Sequence, residues 1–593
     1  MQKSLPRPGK LAQISLICAL LIHSFSAQAA DQTWIKQSNN DAKLLLQLMS
    51  KYSPENAGNL GVDGLDEQIT DLSQDWFNSK TADTRSIILQ LQQRLKQETN
   101  QKNKQDLKIL INSAENFLRQ ENLNREYFLP FIDLTGLISN VVQQTLDPRV
   151  PKSRQQALLV RLNKYAGQHK DFKPITVLAA DRMHERLKAN PQLIRPFKGD
   201  VEQALSDGPV YLAGIKDMLA KSEIKGWETS WAILEQQLIT YNQLIAKEVL
   251  PLARNDHKLP AEVYANNLRE FGVDISPEEL ISKALTSFAE IRNQMTISAG
   301  IVAKEHHFAD ADYRAVIREL KKTQIPKENV ISKYSDILGQ IETIIKQQQI
   351  VTLPDRKAVI RLASDAENAN QPAPHMNPPR LIGNTGEYGE FVLTTGLTAG
   401  ASSKTLHFDD FTHQAGTWTL TAHEARPGHE LQFAKMIETG VSTARAVFAF
   451  NSTNVEGWAL YAEAEMQPFE PMDGQLFALQ HRMLRAARAF LDPMVNLGQM
   501  PAEGAKTFLM EEVGLSEAMA TQEVQRYTFR SPGQATSYFY GYQQLMETRQ
   551  IAEIALRKKF ERRAFNDFVL SQGLVPGRIL REAVIQEFVP ARL

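Results

Sequence analysis

Between about Thr33 and Ile350 apolar residues recur every three or four positions, as in Ser86-Ile-Ile-Leu-Gln-Leu-Gln-Gln-Arg-Leu and Glu279-Leu-Ile-Ser-Lys-Ala-Leu, with Gln, Lys and Glu between them. That period predicts amphipathic helices, each with one apolar stripe. Ser276-Pro-Glu-Glu reads as a helix start, because the serine can accept from first-turn amides and proline fits the first helical position. No fixed-length repeat recurs, which argues against a solenoid. From about Asp365 to Thr417 the period disappears among Pro, Gly, Asn, Ser and Thr. There Glu390-Phe-Val-Leu-Thr-Thr395, set between Gly389 and Gly396, is the best strand candidate. Helical periodicity returns near Thr417 and runs to the C-terminus with breaks at Pro493, Pro501 and Pro532. The pattern predicts a mostly α, multi-helix protein with a small β-sheet beside its central helices, and the irregular segment leaves room for two lobes.

One apolar run is of another kind. Lys3, Arg7 and Lys10 precede the stretch from Ile14 to Phe25, and Ala27-Gln28-Ala29 follows with the small-x-small pattern of a cleavage site. Residues 1–29 are therefore expected to be a secretory signal peptide, leaving a mature chain that begins at Ala30 and is periplasmic or secreted. The run is too short to span a bilayer unaided. Cys18 is the sole cysteine, but Leu16 and Ile17 before it are bulkier than a lipoprotein signal usually allows, so a lipid anchor is not expected.

Removing that segment changes the chemistry of the remainder. No cysteine is left, so stability must come from the core or from bound metal rather than disulfides. The 67 basic residues fall to 64 against 68 acidic ones, a formal charge of −4. So near a balance gives no support to nucleic acid or an anionic membrane as a partner. No second run is long enough to cross a membrane.

Candidate chemistry gathers in Thr421-Ala-His-Glu-Ala-Arg-Pro-Gly-His-Glu-Leu-Gln432. Two histidines flank a glutamate, as in metallopeptidase helices, where histidines one turn apart hold zinc and the glutamate polarises its water. Here the spacing from His423 to His429 is six, about 600° of rotation and about 9 Å of rise on an ideal helix, so the rings would not meet on one. Pro427 and Gly428 are expected to break the helix and turn His429 back. A third ligand is offered by Glu456, in Asn454-Val-Glu-Gly-Trp-Ala-Leu-Tyr-Ala-Glu-Ala-Glu465, since a carboxylate among Val455, Trp458 and Leu460 is costly to bury unless paired or bound to metal. Glu463, seven residues on and on the same face, could orient a histidine from behind or stand as a solvated carboxylate. His407-Phe-Asp-Asp-Phe-Thr-His413 reads as a polar loop or pocket wall, and His306-His307 as solvated.

Together these segments resemble the bacterial family catalogued as domain of unknown function 885, whose marks are H-E-x-x-P-G-H, E-G-W-x-x-Y-x-E and P-G-Q-A-x-S-Y-x-x-G. They occur in that order as His423 to His429, Glu456 to Glu463 and Pro532 to Gly541. The resemblance is specific at the motifs and diffuse elsewhere; it implies a mostly helical, zinc-metallopeptidase-like protein and no particular substrate. The late motif adds donors for the charge that acyl hydrolysis builds on a carbonyl oxygen, with Tyr538 the first choice and Arg530 and Tyr540 beside it.

The resulting expectation is one Zn²⁺ per chain on His423, His429 and Glu456, with Glu424 as general base, in a helical metallohydrolase-like domain over residues 30–593. The substrate would be a peptide or another amide, cut by an exopeptidase or oligopeptidase, with the strand near Phe391 aligning an extended peptide by edge pairing. The rivals are a non-peptidase amidase of cell-wall or acyl-amino-acid substrates and an inactive envelope binding protein.

Overall fold

The structure is a computed structural model and describes residues 33–364, 367–368, 373–394 and 409–593. The expected signal peptide, Thr395 and His407 lie outside these residues. The described chain is mostly helical, with one three-stranded sheet.

Helices α1 (Leu134–Thr145), α2 (Lys198–Lys221) and α3 (Glu228–Leu244) close an apolar core of their own. Leu134, Leu162, Ile215, Leu234 and Leu238 are wholly buried in it. A second core forms where α4 (Pro277–His306) lies along α9 (Met472–Asn496). Ser276 caps α4 as the sequence predicts, its hydroxyl accepting from the Glu279 amide at 3.2 Å. Ala284, Ala299, Ala486 and Ala487 are wholly buried along that contact, and side chains so small let the two backbones approach closely.

Between them in sequence come α5 (Val330–Gln347) and the strands β1 (Val359–Leu362), β2 (His375–Asn377) and β3 (Glu390–Leu393). The strand order is β1-β3-β2, with β1 parallel and β2 antiparallel to β3. β3 falls inside the expected segment, and Phe391, Val392 and Leu393 are all buried. Its proposed use is corrected by the sheet: β3 is the middle strand, both edges already paired, so a peptide cannot add to it. The strand beside the candidate site is β2, an edge.

The remaining elements frame the site: α6 (Thr417–Glu424), α7 (His429–Thr439), α8 (Ser452–Met466), α10 (Glu517–Gln525) and α11 (Ser537–Leu556). No helix among the described residues is long and apolar enough to cross a membrane.

Candidate metal centre

The helix that begins at Thr417 stops at Glu424, and a new one begins at His429. Pro427, after a cis peptide bond, has no amide to extend a helix. Gly428 is required for space: a Cβ there would lie 1.8 Å from the carbonyl oxygen of His423. Its φ is −76°, so what requires glycine here is that close approach. Two side chains hold the break. The Trp458 indole donates to the carbonyls of Pro427 and Gly428 at 3.0 and 3.3 Å, and buried Arg426 donates to Glu430 at 2.8 Å and to Glu342. The result overcomes the spacing of six, bringing the His423 and His429 rings to 4.7 Å between centroids, edge to face.

Glu456, near the start of α8, completes a cluster in which one ligand atom from each residue lies within 4.8 Å of the others. Its Oε2 is 3.5 Å from His423 Nε2 and 3.3 Å from His429 Nε2, yet this buried oxygen has no hydrogen-bond partner among the described residues. Buried acceptors are normally satisfied, so an orphan facing two imidazole nitrogens fits the ligand set of a cation. Behind the ring, Glu463 is fully buried and meets His423 Nδ1 at 2.7 Å, while the Thr419 hydroxyl donates to its other oxygen at 2.7 Å. A carboxylate at Nδ1 places the ring proton there and leaves Nε2 free to ligate.

The electrostatics follow from these contacts. Burial alone would depress the His423 imidazole, but Glu456, Glu463 and Glu424 outweigh it and raise its pKa to about 9. Against the cost of burial the two imidazoles hold Glu456 well below the usual carboxylate range. Arg485 and His423 do the same for Glu463, bringing it to about 2.

His423, His429 and Glu456 line a cleft of about 300 Å³. Glu424 lines it with its Oε1 4.0 Å from His423 Nε2, off the ligand set but beside it. Tyr538 lines it too, its ring roughly parallel to that of His423 at 6.4 Å; burial first, and the nearby Glu456 charge second, raise its hydroxyl pKa. The two glycines of the later motifs explain how Tyr538 gets there. A Cβ on Gly541 would sit 1.9 Å from the Thr453 carbonyl oxygen, and one on Gly457 would sit 2.5 Å from the Gly541 carbonyl carbon, so α8 and α11 touch backbone to backbone. Ser537 and Gln534 tie the start of α11 to Ser452 at 2.7 and 3.1 Å, and the Gly533 amide, at φ +95°, donates to buried Asp492 at 2.9 Å.

Two expected donors are not brought to the cleft. Tyr540 is two residues from Tyr538, about 200° around the helix, and bonds Asp274 instead. Arg530 ends a turn of π-helix, is exposed, and acts on Asp200 and Asp207 of the N-terminal region. His413 is fully buried and is not among the residues lining the cleft, although Asp410 and Phe411 of the same segment are: its Nδ1 accepts from the Gly416 amide and its Nε2 meets the Asp410 carbonyl, both at 3.1 Å. His306 lies on an exposed surface 3.0 Å from Asp473. The sequence reading missed His481, Arg485, Arg488 and Arg526, all of which line the cleft.

The fold and site thus define a mostly helical protein with a three-residue candidate metal centre in a cleft. By sequence the chain belongs to the family described as bacterial protein of unknown function (DUF885), which matches residues 54–584. Among solved structures it is similar to a candidate lipoprotein of unknown function from Shewanella oneidensis, at 19% identity and a TM-score of 0.70 over 93% of this chain and 99% of that one. A candidate lipoprotein from Colwellia psychrerythraea gives 17% identity and a TM-score of 0.75 over the same shares of the two chains. Comparison with curated proteins finds no match.

Proposed function

We propose that the chain is an exported zinc-dependent hydrolase of amide bonds, most simply a peptidase. The observation that carries this reading is the orphaned Glu456 oxygen between two imidazole nitrogens, one of them on a histidine oriented by Glu463. Three protein ligands with a position left open is the pattern of catalytic rather than structural zinc. When bound, such an ion supplies Lewis acidity towards a carbonyl and acidifies water. Glu424 takes the proton from the attacking water and returns it to the leaving amine. Tyr538, kept protonated by burial, donates to the carbonyl oxygen as charge develops there. Glu463 and Thr419 hold the His423 ring in place through the cycle.

Elemental analysis of protein purified without chelator should find about one zinc per chain, and a chelator should abolish cleavage of a peptide library. A folded sample that stays metal-free after zinc is added back would sink the proposal. A non-peptidase amidase would use the same residues and differ only in the library members cut. Export is read from the N-terminal segment and agrees with the lipoprotein descriptions of the two similar structures. Mass spectrometry of the envelope fraction should find a mature chain beginning at Ala30; a lipid on Cys18 or an intact Met1 would overturn that.

A further inference from the structure

Three guanidinium groups on one side of the cleft share only two buried carboxylates, and from this we propose a subsite for the free C-terminal carboxylate of a peptide, formed by Arg485, Arg488 and Arg526. The proposal deepens the hydrolase reading, on which it rests for the bond that is cut.

Three guanidinium groups meet two buried carboxylates. Arg488 forms a two-pronged pair with Glu523, both contacts at 2.6 Å. Arg526 reaches the same carboxylate only at 3.6 Å and keeps 19% of its side chain exposed. Arg485 meets Glu463 at 3.3 Å, but that carboxylate already accepts from His423 and Thr419. The Nε of Arg485 is buried without a hydrogen-bond partner among the described residues. One positive charge is left over, in a concave site partly withdrawn from water, where a second anion gains most.

The site selects an anion rather than an ammonium group. Of the acids lining the cleft, Glu424 and Glu456 belong to the candidate metal centre, and Asp410 is held by Lys321 at 2.6 Å and by Ser516. Position selects a chain end. Tyr538 touches both groups: its ring is 6.4 Å from the His423 ring and 4.8 and 5.7 Å from the guanidinium carbons of Arg488 and Arg485. The two groups therefore lie no further apart than those distances laid end to end, which about three residues of extended chain, at about 3.4 Å each, cover. A carboxylate on the arginines therefore sets a carbonyl close to its own chain end over the metal centre, which is the geometry of a carboxypeptidase. Met519, one helical turn before Glu523, lines the cleft with Leu484 and Leu515, so a bulky apolar C-terminal residue is favoured.

The test compares N-benzoylglycylphenylalanine with its C-terminal amide. Zinc-loaded protein should cleave the acid with kcat/KM about 50-fold above the amide, the scale of one charge-assisted contact. Arg526→Gln should collapse that ratio towards one, with Arg526→Lys between the two because it keeps charge and loses the planar fork. In chelator-treated protein, calorimetry should detect the acid binding more tightly than the amide. Equal cleavage of acid and amide overturns the subsite and leaves the hydrolase reading standing. Preferential binding of the acid with no cleavage of either supports the subsite and defeats the hydrolase reading. Equal binding together with equal turnover overturns the subsite whether or not the arginine variants fold, because wild-type protein decides it.

Discussion

The N-terminal helices and the helices around the candidate metal centre bury their interiors in contrasting ways. The first region closes over Leu134, Leu162, Leu234 and Leu238, and its buried charges lie at the rim, where Arg161 and Lys164 donate to backbone carbonyls of residues 65 to 68. The second buries His423, Arg426, Glu430, Glu463, Arg485, Arg488 and Glu523 against one another. Paired charges in an interior seldom stabilise a fold more than apolar residues of the same size would. The chain thus concentrates its mutually paired buried charges around the candidate metal centre, whereas in the N-terminal region Arg161 and Lys164 are satisfied by backbone carbonyls.

Four measurements sharpen or break that contrast. The largest effect is expected from Glu424→Gln, which should lower turnover about 10³-fold while zinc content and melting temperature hold, since removing a general base leaves the ligands untouched. Loss of zinc in that variant would make Glu424 a ligand and redraw the site. Next, Leu238→Ala in the N-terminal core should cost about 3 kcal/mol in urea unfolding and change neither zinc affinity nor turnover per folded molecule. If activity falls with it, the two regions are coupled and the contrast fails.

Smaller in free energy is Glu463→Gln, expected to weaken zinc binding about 10–100-fold by loosening the His423 ring. A loss of stability with unchanged zinc affinity would reduce Glu463 to a partner for Arg485. The smallest effect, taken per pH unit, is the part that one histidine plays in the response to acid. Burial holds the His413 imidazole at about 3, and burial together with Arg485 does the same for His481, so the unfolded chain takes up protons near pH 6.5 that the folded chain refuses. Both contributions are complete above pH 6.5 and fall away as pH drops towards 3, each by about 1.4 kcal/mol per unit. His413→Gln should halve the slope measured between pH 6.5 and 5. His423 works in a separate window in chelator-treated protein, stabilising fully below pH 6.5 and losing that contribution as pH rises through about 9.

The sequence showed most of what is local. Helical periodicity, the Ser276 cap and the strand at Glu390–Leu393 are short-range patterns, and the structure has them. His423, His429 and Glu456 were legible because their residue types are expensive to place together without a cation, and Glu463 because seven residues return a helix to the same face. The arginine cluster was hidden. Arg482, Arg485 and Arg488 recur at three-residue spacing, which reads as a solvated helix face, and the acids that draw two of them inward lie 22 and 35 residues away. Arg530 and Tyr540 were misplaced through proximity in sequence: neighbours in a motif can face different sides of a helix.

The contact between Gly457 and Gly541 has a mechanical consequence. Glu456 and Tyr538 are each carried within three residues of that contact, so the separation of the two backbones sets the width of the cleft between ligand and hydroxyl. A single methyl group at either glycine would act as a shim between the helices, prising apart the two elements that carry the Glu456 carboxylate and the Tyr538 hydroxyl.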